Sequence, residues 1–212
     1  MSRRSRRPTR ADYVRDQKKE GMTKTEQLLR TLKENKSLER ILERAETFGT
    51  PNWYLGGGCI AQTVWNIQHG FDPENAIKDY DLVYYDSRDT SYEAEDVFIQ
   101  KGKEIFKDIP VPVEIRNQAR VHLWYGKRFG GLNKPYRSVE ESIDTWTTTA
   151  TAVAMRKNGG HVNVYAPFGL DDLMNMVVRP NKIKIAKEIY QEKMARWKKV
   201  WPHLTVVPWE EE

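Results

Sequence analysis

The distribution of apolar and polar residues divides the chain into short helices and strands. Thr23 and Glu26 have the spacing of a capping box, which predicts the start of a first helix. A second predicted helix carries apolar residues at positions i, i+3, i+4 and i+7, namely Leu38, Ile41, Leu42 and Ala45. Because this spacing places them in one stripe, we expect the second helix to pack against a core.

The rest of the chain alternates runs of β-forming residues with helical patterns. Strands are predicted at residues 53–55, 81–85, 111–115, 149–155 and 161–165, and helices at 60–69, 91–107, after Ser138, at 171–177 and at 182–200. Residues 201–212 are predicted to be coil. We therefore expect an α/β (α+β) fold, with a small mixed sheet of about five strands and flanking helices.

The composition is typical of a folded protein that does not span a membrane. Of the 212 residues, 39% are hydrophobic and 31% are charged. No apolar run approaches the roughly 18 residues that a membrane span needs. Cys59 is the single cysteine, which excludes an internal disulfide and suits a reducing compartment, so a cytoplasmic location is expected.

The net charge of +5 is concentrated at the N-terminus. Residues 1–20 hold eight Lys and Arg against three Asp and Glu, whereas residues 21–212 hold 27 of each kind. We predict that residues 1–22 form a disordered basic tail. This tail could bind the phosphates of a nucleic acid or an anionic lipid, or could be only a solubilising extension.

A glycine turn and a pair of aspartates carry the first chemical signal. Gly57 and Gly58 lie between a predicted strand and a predicted helix, where free backbone N–H groups favour an anion such as phosphate. Asp79 and Asp81 open the next predicted strand, and alternate residues of a strand share one face. Their carboxylates are therefore expected to converge on one cation.

A third acid, Glu114, lies in an apolar strand, where a lone carboxylate is costly to bury unless something pairs with it. A divalent cation shared with Asp79 and Asp81 would pair all three. Mg²⁺ binds such carboxylates together with water and phosphates, and Mn²⁺ accepts the same ligands. In a two-metal scheme, Asp79 and Asp81 hold both ions, and Glu114 holds the catalytic ion and helps to deprotonate an acceptor hydroxyl.

The order of these motifs resembles the DNA polymerase beta-like nucleotidyltransferase superfamily. The matching residues are Gly57, Gly58, Asp79, Asp81 and Glu114. A closer resemblance is to a poorly characterised nucleotidyltransferase family of bacteria and fungi, carried by residues 57–59, 62–66, 78–81, 84, 117–125, 147–153, 167–173 and 179–181. It covers about residues 50–209 and implies the fold and the metal site, but says little about the substrate.

Two further residues are candidates for nucleotide binding. Arg120 follows Glu114 closely and could bind triphosphate oxygens, or could form structural ion pairs. Thr63 lies on the helix after the glycines, where it could reach a phosphate or belong to a packed helix face.

The expected organisation is a basic tail at 1–22, N-terminal helices at 23–50 and a nucleotidyltransferase domain at 51–212. The expected function is metal-dependent transfer of a nucleoside monophosphate from a nucleoside triphosphate, with release of pyrophosphate. The acceptor is open between a small molecule, an RNA end and a protein hydroxyl. The alternatives are a non-catalytic nucleotide sensor of the same fold and a nucleic-acid-binding protein that uses the tail.

Overall fold

The computed structural model describes residues 21–129 and 134–210, in which helices and strands alternate. The helix at residues 121–129 was not predicted. The helices are α1 (Lys24–Leu32), α2 (Lys36–Glu46), α3 (Gly58–His69), α4 (Tyr92–Ile105), α5 (Val121–Phe129), α6 (Val139–Ile143), α7 (Asp171–Met174) and α8 (Lys187–Val200). The strands are β1 (Tyr54–Gly56), β2 (Tyr80–Tyr84), β3 (Val113–Asn117), β4 (Ala154–Asn158), β5 (His161–Tyr165), β6 (Val177–Val178) and β7 (Thr205–Val206). In the part of the chain so described, no helix has the length and apolar character of a membrane span.

Five strands form one mixed sheet in the order β3-β2-β1-β4-β5. Strand β1 is antiparallel to both of its neighbours, β4 and β5 form an antiparallel hairpin, and β2 and β3 are parallel. Parallel neighbours need a crossover connection, which α4 supplies by packing against β3. The predicted small mixed sheet with flanking helices is confirmed.

The N-terminal helices begin at their capping residues and join the core. The side chain of Thr23 accepts a hydrogen bond from the backbone N–H of Glu26, which completes the predicted capping box. Asn35 accepts a hydrogen bond from the backbone N–H of Leu38 and so starts α2. Helix α1 packs against α3, and α2 packs against β4. The predicted tail lies largely outside the described residues, and its boundary at 1–22 stays a prediction.

The start of β2 differs from the prediction. The strand begins at Tyr80, so the expectation that Asp79 and Asp81 lie on one strand is wrong for Asp79. The register that pairs Tyr80 with Val113 would place Asp79 opposite Pro112. Because proline has no backbone N–H, the β2–β3 ladder cannot continue through this position.

Other boundaries also shifted. Strand β3 lies two residues later than predicted, β4 begins at Ala154 because residues 148–151 form a turn, and α8 begins at Lys187 rather than at residue 182. Strands β6 and β7 pair as a second, two-stranded sheet where a helix end and coil were predicted. This pairing links two segments far apart in sequence, a contact that local patterns do not encode.

A tryptophan cluster fixes α8 over α3. The ring of Trp65 on α3 lies 5.2 Å from that of Trp197 and 5.5 Å from that of Trp201, both in edge-to-face contact. The indole N–H of Trp201 also donates to the Asn66 side-chain oxygen at 2.7 Å. This packing holds α8, and with it Lys193, above the start of α3.

Candidate active site

The glycine turn brings the start of α3 against a carboxylate. Gly57 has φ +80°, a conformation that favours glycine, and a Cβ there would stand 3.3 Å from Oδ2 of Asp81. Its backbone N–H is bonded to the carbonyl of Val153 at 2.9 Å, so the expectation of a free N–H for a phosphate is wrong for Gly57. At Gly56 a Cβ would stand 2.5 Å from the Cβ of Ala154. The turn therefore depends on glycine both for its backbone angle and for its close approach to β4.

Asp81 lies in the centre of the site because of strand register. It pairs with Gly56 on β1 and with Glu114 on β3. Asp79 is two residues before it, just outside the strand. Burial, and then the negative charges of Asp79 and Glu114, raise the pKa of Asp81 to about 7. The sheet thus brings the predicted acids into electrostatic contact at a partly buried position.

The three acids do not form a completed metal site. Among residues 21–129 and 134–210, no group of three or more His, Cys, Asp or Glu side chains is placed to hold a metal ion. The Oε2 atom of Glu114 lies 3.3 Å from an Arg116 guanidinium nitrogen, and both side chains are about two-fifths exposed. The donor chemistry fits a hard divalent cation, because all three side chains offer carboxylate oxygens. Metal binding by Asp79, Asp81 and Glu114 stays a prediction.

A cleft of about 250 Å³ opens beside Asp81. Its walls come from the glycine turn, β2, α5, the region around α6, the segment just before α8 and the middle of α8. The lining residues include Gly57, Gly58, Asp81, Trp124, Tyr125, Tyr136, Trp146, Lys184, Lys193 and Trp197. The cleft therefore combines a helix N-terminus, a carboxylate, two lysines and several aromatic side chains. This is the composition of a nucleotide site, in which phosphates need cations and N–H groups and a base needs aromatic faces.

Sequence analysis missed Lys193, a lysine whose charge acts on Asp81. Burial lowers the pKa of Lys193, while the negative charges of Asp81 and Asp79 act in the opposite direction. Its Nζ donates to Oγ1 of Thr147 at 3.3 Å. A signal was present: Lys193 lies in the apolar stripe of α8, next to Met194 and one turn before Trp197, where a lysine is unusual.

Sequence analysis also missed Lys184, which gave no periodic signal because it precedes α8. Its Nζ lies 4.1 Å from the ring centre of Tyr125 and 4.4 Å from that of Tyr136, and donates to the Tyr136 hydroxyl at 2.5 Å. Burial lowers the pKa of Lys184 to about 8.

The structure gives Arg120 a clear structural role away from the cleft lining. Its guanidinium donates to Oε2 of Glu95 at 2.6 Å and, through Nε, to the carbonyl of Thr90 at 3.1 Å. The side chains of Arg120 and Glu95 are 12% and 3% exposed. Triphosphate binding by Arg120 stays a prediction, and it would have to compete with this buried ion pair.

Thr63 is held in the interior. Its Oγ1 donates to the Cys59 carbonyl at 2.7 Å and accepts from Asn35 at 2.8 Å, and the residue is fully buried. These contacts favour the packed helix face that was the alternative for Thr63. Its role in nucleotide binding also stays a prediction.

Comparison with known proteins agrees with this geometry. A family model described as nucleotidyltransferase matches residues 43–206. A solved structure described as "The NMR structure of the protein reveals a CCA-adding enzyme head domain" superimposes with a TM-score of 0.70 and 24% identity, covering 86% of this chain and 95% of that chain. At this identity the likeness shows the fold alone. No curated protein matches the chain significantly. The predicted polymerase beta-like fold is confirmed.

Proposed function

The chain belongs to the nucleotidyltransferase family, and from this premise we propose that it transfers a nucleoside monophosphate from a nucleoside triphosphate to an acceptor hydroxyl, releasing pyrophosphate. One observation carries the proposal: Asp81 is in register with Glu114, lies against the Gly57 turn and borders a cleft that contains Lys193. Phosphoryl-transfer sites need this combination of carboxylates, N–H donors and a cation.

The triphosphate would bind at the start of α3. The backbone at Gly57 and Gly58 opens this helix, and the helix dipole favours negative charge there. Lys193 faces the same cleft and, in this proposal, supplies the cation that the sequence had suggested for Arg120. Its lowered pKa fits a lysine that awaits an anionic partner.

Asp79 and Asp81 would hold Mg²⁺ or Mn²⁺, with Glu114 as a third ligand once it leaves Arg116. Bound there, the ion would supply charge stabilisation at the phosphates and activation of the acceptor oxygen. Burial, and then the negative charges of Asp79 and Glu114, raise the pKa of Asp81, and a cation bound beside it would offset both effects.

In the transfer itself, the acceptor oxygen forms a bond to the α-phosphorus. The bond from that phosphorus to the oxygen bridging to the β-phosphorus breaks, and pyrophosphate leaves. In this proposal Glu114 takes the hydroxyl proton, since it neighbours Asp81 on the sheet and its side chain is partly exposed.

The test is pyrophosphate release with each nucleoside triphosphate, Mg²⁺ or Mn²⁺, and cell extract or total tRNA as the acceptor source. We expect Asp81→Asn and Glu114→Gln to reduce release at least about 100-fold, in line with the loss of a general base or electrostatic group. The matched controls are Asp171→Asn and Glu104→Gln, whose exposed side chains lie outside the cleft. Equal release by wild type and both site variants would refute the assignment.

One observation favours a second candidate, a non-catalytic nucleotide sensor. Glu114 is ion-paired with Arg116, and no group of three acids is assembled in the described part of the chain. A sensor would bind nucleotide without releasing pyrophosphate under any acceptor condition. Arg116→Ala distinguishes the two candidates. In a sensor, the substitution should leave nucleotide binding unchanged. In an enzyme, it should free Glu114 and so alter the rate of pyrophosphate release.

The acceptor remains open between a small molecule, an RNA end and a protein hydroxyl. Contact of residues 1–20 with nucleic acid is a separate proposal, supported only by the concentration of positive charge there. Deletion of residues 1–20 should then weaken RNA binding and reduce the slope of its salt dependence. Unchanged binding after deletion would remove the tail from the function.

A further inference from the structure

The two lysines of the cleft occupy different electrostatic surroundings. Asp81 and Asp79 act on Lys193, whereas burial alone lowers the pKa of Lys184. In position, Lys184 Nζ lies against the rings of Tyr125 and Tyr136, whereas Lys193 Nζ contacts Thr147. Since both lysines line the same cleft, Lys184 marks a different part of it.

Aromatic side chains surround Lys184. The rings of Tyr125 and Tyr136 lie 4.1 Å and 4.4 Å from its Nζ. The Tyr136 hydroxyl is also hydrogen-bonded to Oγ1 of Thr145 at 2.6 Å. The backbone carbonyl of Tyr136 accepts a hydrogen bond from the Tyr85 hydroxyl at 2.9 Å. These bonds fix the position of Tyr136, so this part of the cleft has a preformed shape.

Lys184 is incompletely paired. In the described ranges 21–129 and 134–210 it has no carboxylate partner, and its polar contact is the Tyr136 hydroxyl. An ammonium group has three donors and no acceptor. Aromatic faces offset part of the cost of burying its charge, but they accept no strong hydrogen bond. Donors of Lys184 are thus available to an acceptor atom of a planar ligand that enters between aromatic walls.

We propose that the Tyr125–Tyr136 end of the cleft binds the nucleobase, and that Lys184 selects bases with a carbonyl oxygen at purine C6 or pyrimidine C4 over bases with an amine at that position. This inference rests on the proposed function for the presence of a nucleoside triphosphate. Guanine presents two acceptors, O6 and N7, whereas adenine presents an amine donor at the corresponding position. The same contrast separates uracil from cytosine. A lysine, which can only donate, meets an acceptor in the first of each pair and another donor in the second.

Equilibrium binding of GTP, ITP, ATP, UTP and CTP by calorimetry tests this inference. ITP keeps the O6 and N7 acceptors of guanine and lacks its amine, so it isolates the contact with Lys184. Wild type should bind GTP and ITP about tenfold or more tightly than ATP, and UTP more tightly than CTP, as expected for a base contact read by a charged donor.

Lys184→Met should abolish this preference, and Lys184→Arg should retain it because arginine is also only a donor. Lys199→Met, which changes an exposed lysine of α8, is the matched control and should bind like wild type. If Lys184 has only a structural role, Lys184→Met should lower the melting temperature and weaken the binding of all five nucleotides equally. Equal weakening of all five nucleotides by Lys184→Met overturns the inference. Equal binding of all five by wild type also overturns it, and this second test holds even if Lys184→Met fails to fold.

Pyrophosphate release measured in parallel separates this inference from the proposed function. Release without a base preference in binding would refute the inference and leave nucleotidyl transfer standing. Base-selective binding that depends on Lys184, without release from any acceptor source, would support the inference and favour the sensor.

Discussion

Replacement of Arg120 by methionine tests whether this residue is structural or binds nucleotide. The substitution would leave the carboxylate of Glu95, 3% exposed, without its cation. Removing one partner of a buried ion pair costs about 3–5 kcal/mol, because the remaining charge stays buried. Glu95 also accepts a hydrogen bond from the Asn117 backbone N–H at 2.7 Å, so it cannot turn to solvent without breaking a contact to β3.

Urea unfolding and thermal unfolding, each followed by circular dichroism, measure this loss of stability. For a chain of this size, the melting temperature should fall by roughly 6–20 °C. The double variant Arg120→Met with Glu95→Gln should recover part of the stability, because the uncompensated charge is gone. Arg137→Ala is the control: it breaks an ion pair with Glu141 in which Arg137 is 89% exposed, and it should cost at most about 1 kcal/mol.

The outcome decides between two roles. If Arg120→Met keeps the free energy of unfolding within about 1 kcal/mol of wild type while nucleotide affinity falls, the structural reasoning is refuted and the residue binds phosphate. A large loss of stability that the second substitution partly restores supports the buried ion pair.

Three further predictions concern the fold. Gly56→Ala should destabilise the protein by about 1–3 kcal/mol or more in urea unfolding, because the new Cβ would stand 2.5 Å from a side-chain carbon of β4; an unchanged midpoint would show that β1 can move away. The ion pair with Arg44 lowers the pKa of Asp108 to about 2, so the contribution of this pair to stability is present above pH 3.8 and is lost as the pH falls toward 2. Asp108→Asn should therefore flatten this part of an acid unfolding curve, and identical curves for variant and wild type would contradict the assignment. Trp201→Phe should cost about 1–3 kcal/mol in thermal or urea unfolding, because it leaves the buried Asn66 oxygen without its donor, and a neutral result would mean that another donor replaces it.

The site shows how far local patterns predict chemistry. Gly57, Asp81 and Glu114 could be singled out because each belongs to a short motif whose residue types fit phosphate or cation binding. Their meeting, however, depends on the strand order β3-β2-β1, which places Asp81 between Gly56 and Glu114. Strand order is set by contacts between distant segments and leaves no periodic trace in the sequence.

The lysines show the complementary failure. Arg120 was chosen because it follows Glu114 in sequence, yet the structure pairs it with Glu95 on α4. Lys193 and Lys184 are more than 60 residues from Glu114 in sequence, and the packing of α8 on α3 brings them to the cleft. Proximity in sequence therefore did not reveal Lys193, whose charge acts on Asp81 from a distant part of the chain.

The sequence by itself determined most of the helices, the five strands of the main sheet, the caps at Thr23 and Ser138, the glycine turn and the identity of the acidic residues, because these follow from backbone sterics, hydrogen-bonding caps and apolar periodicity within a few residues. Helix α5 and strands β6 and β7 were not predicted. Only the tertiary structure decided that Asp79 lies outside β2, that Arg120 is held by Glu95, and that two lysines and several aromatic side chains complete the cleft. The physical reason is that burial and charge pairing depend on which distant surfaces meet, and this is settled by packing of the whole chain.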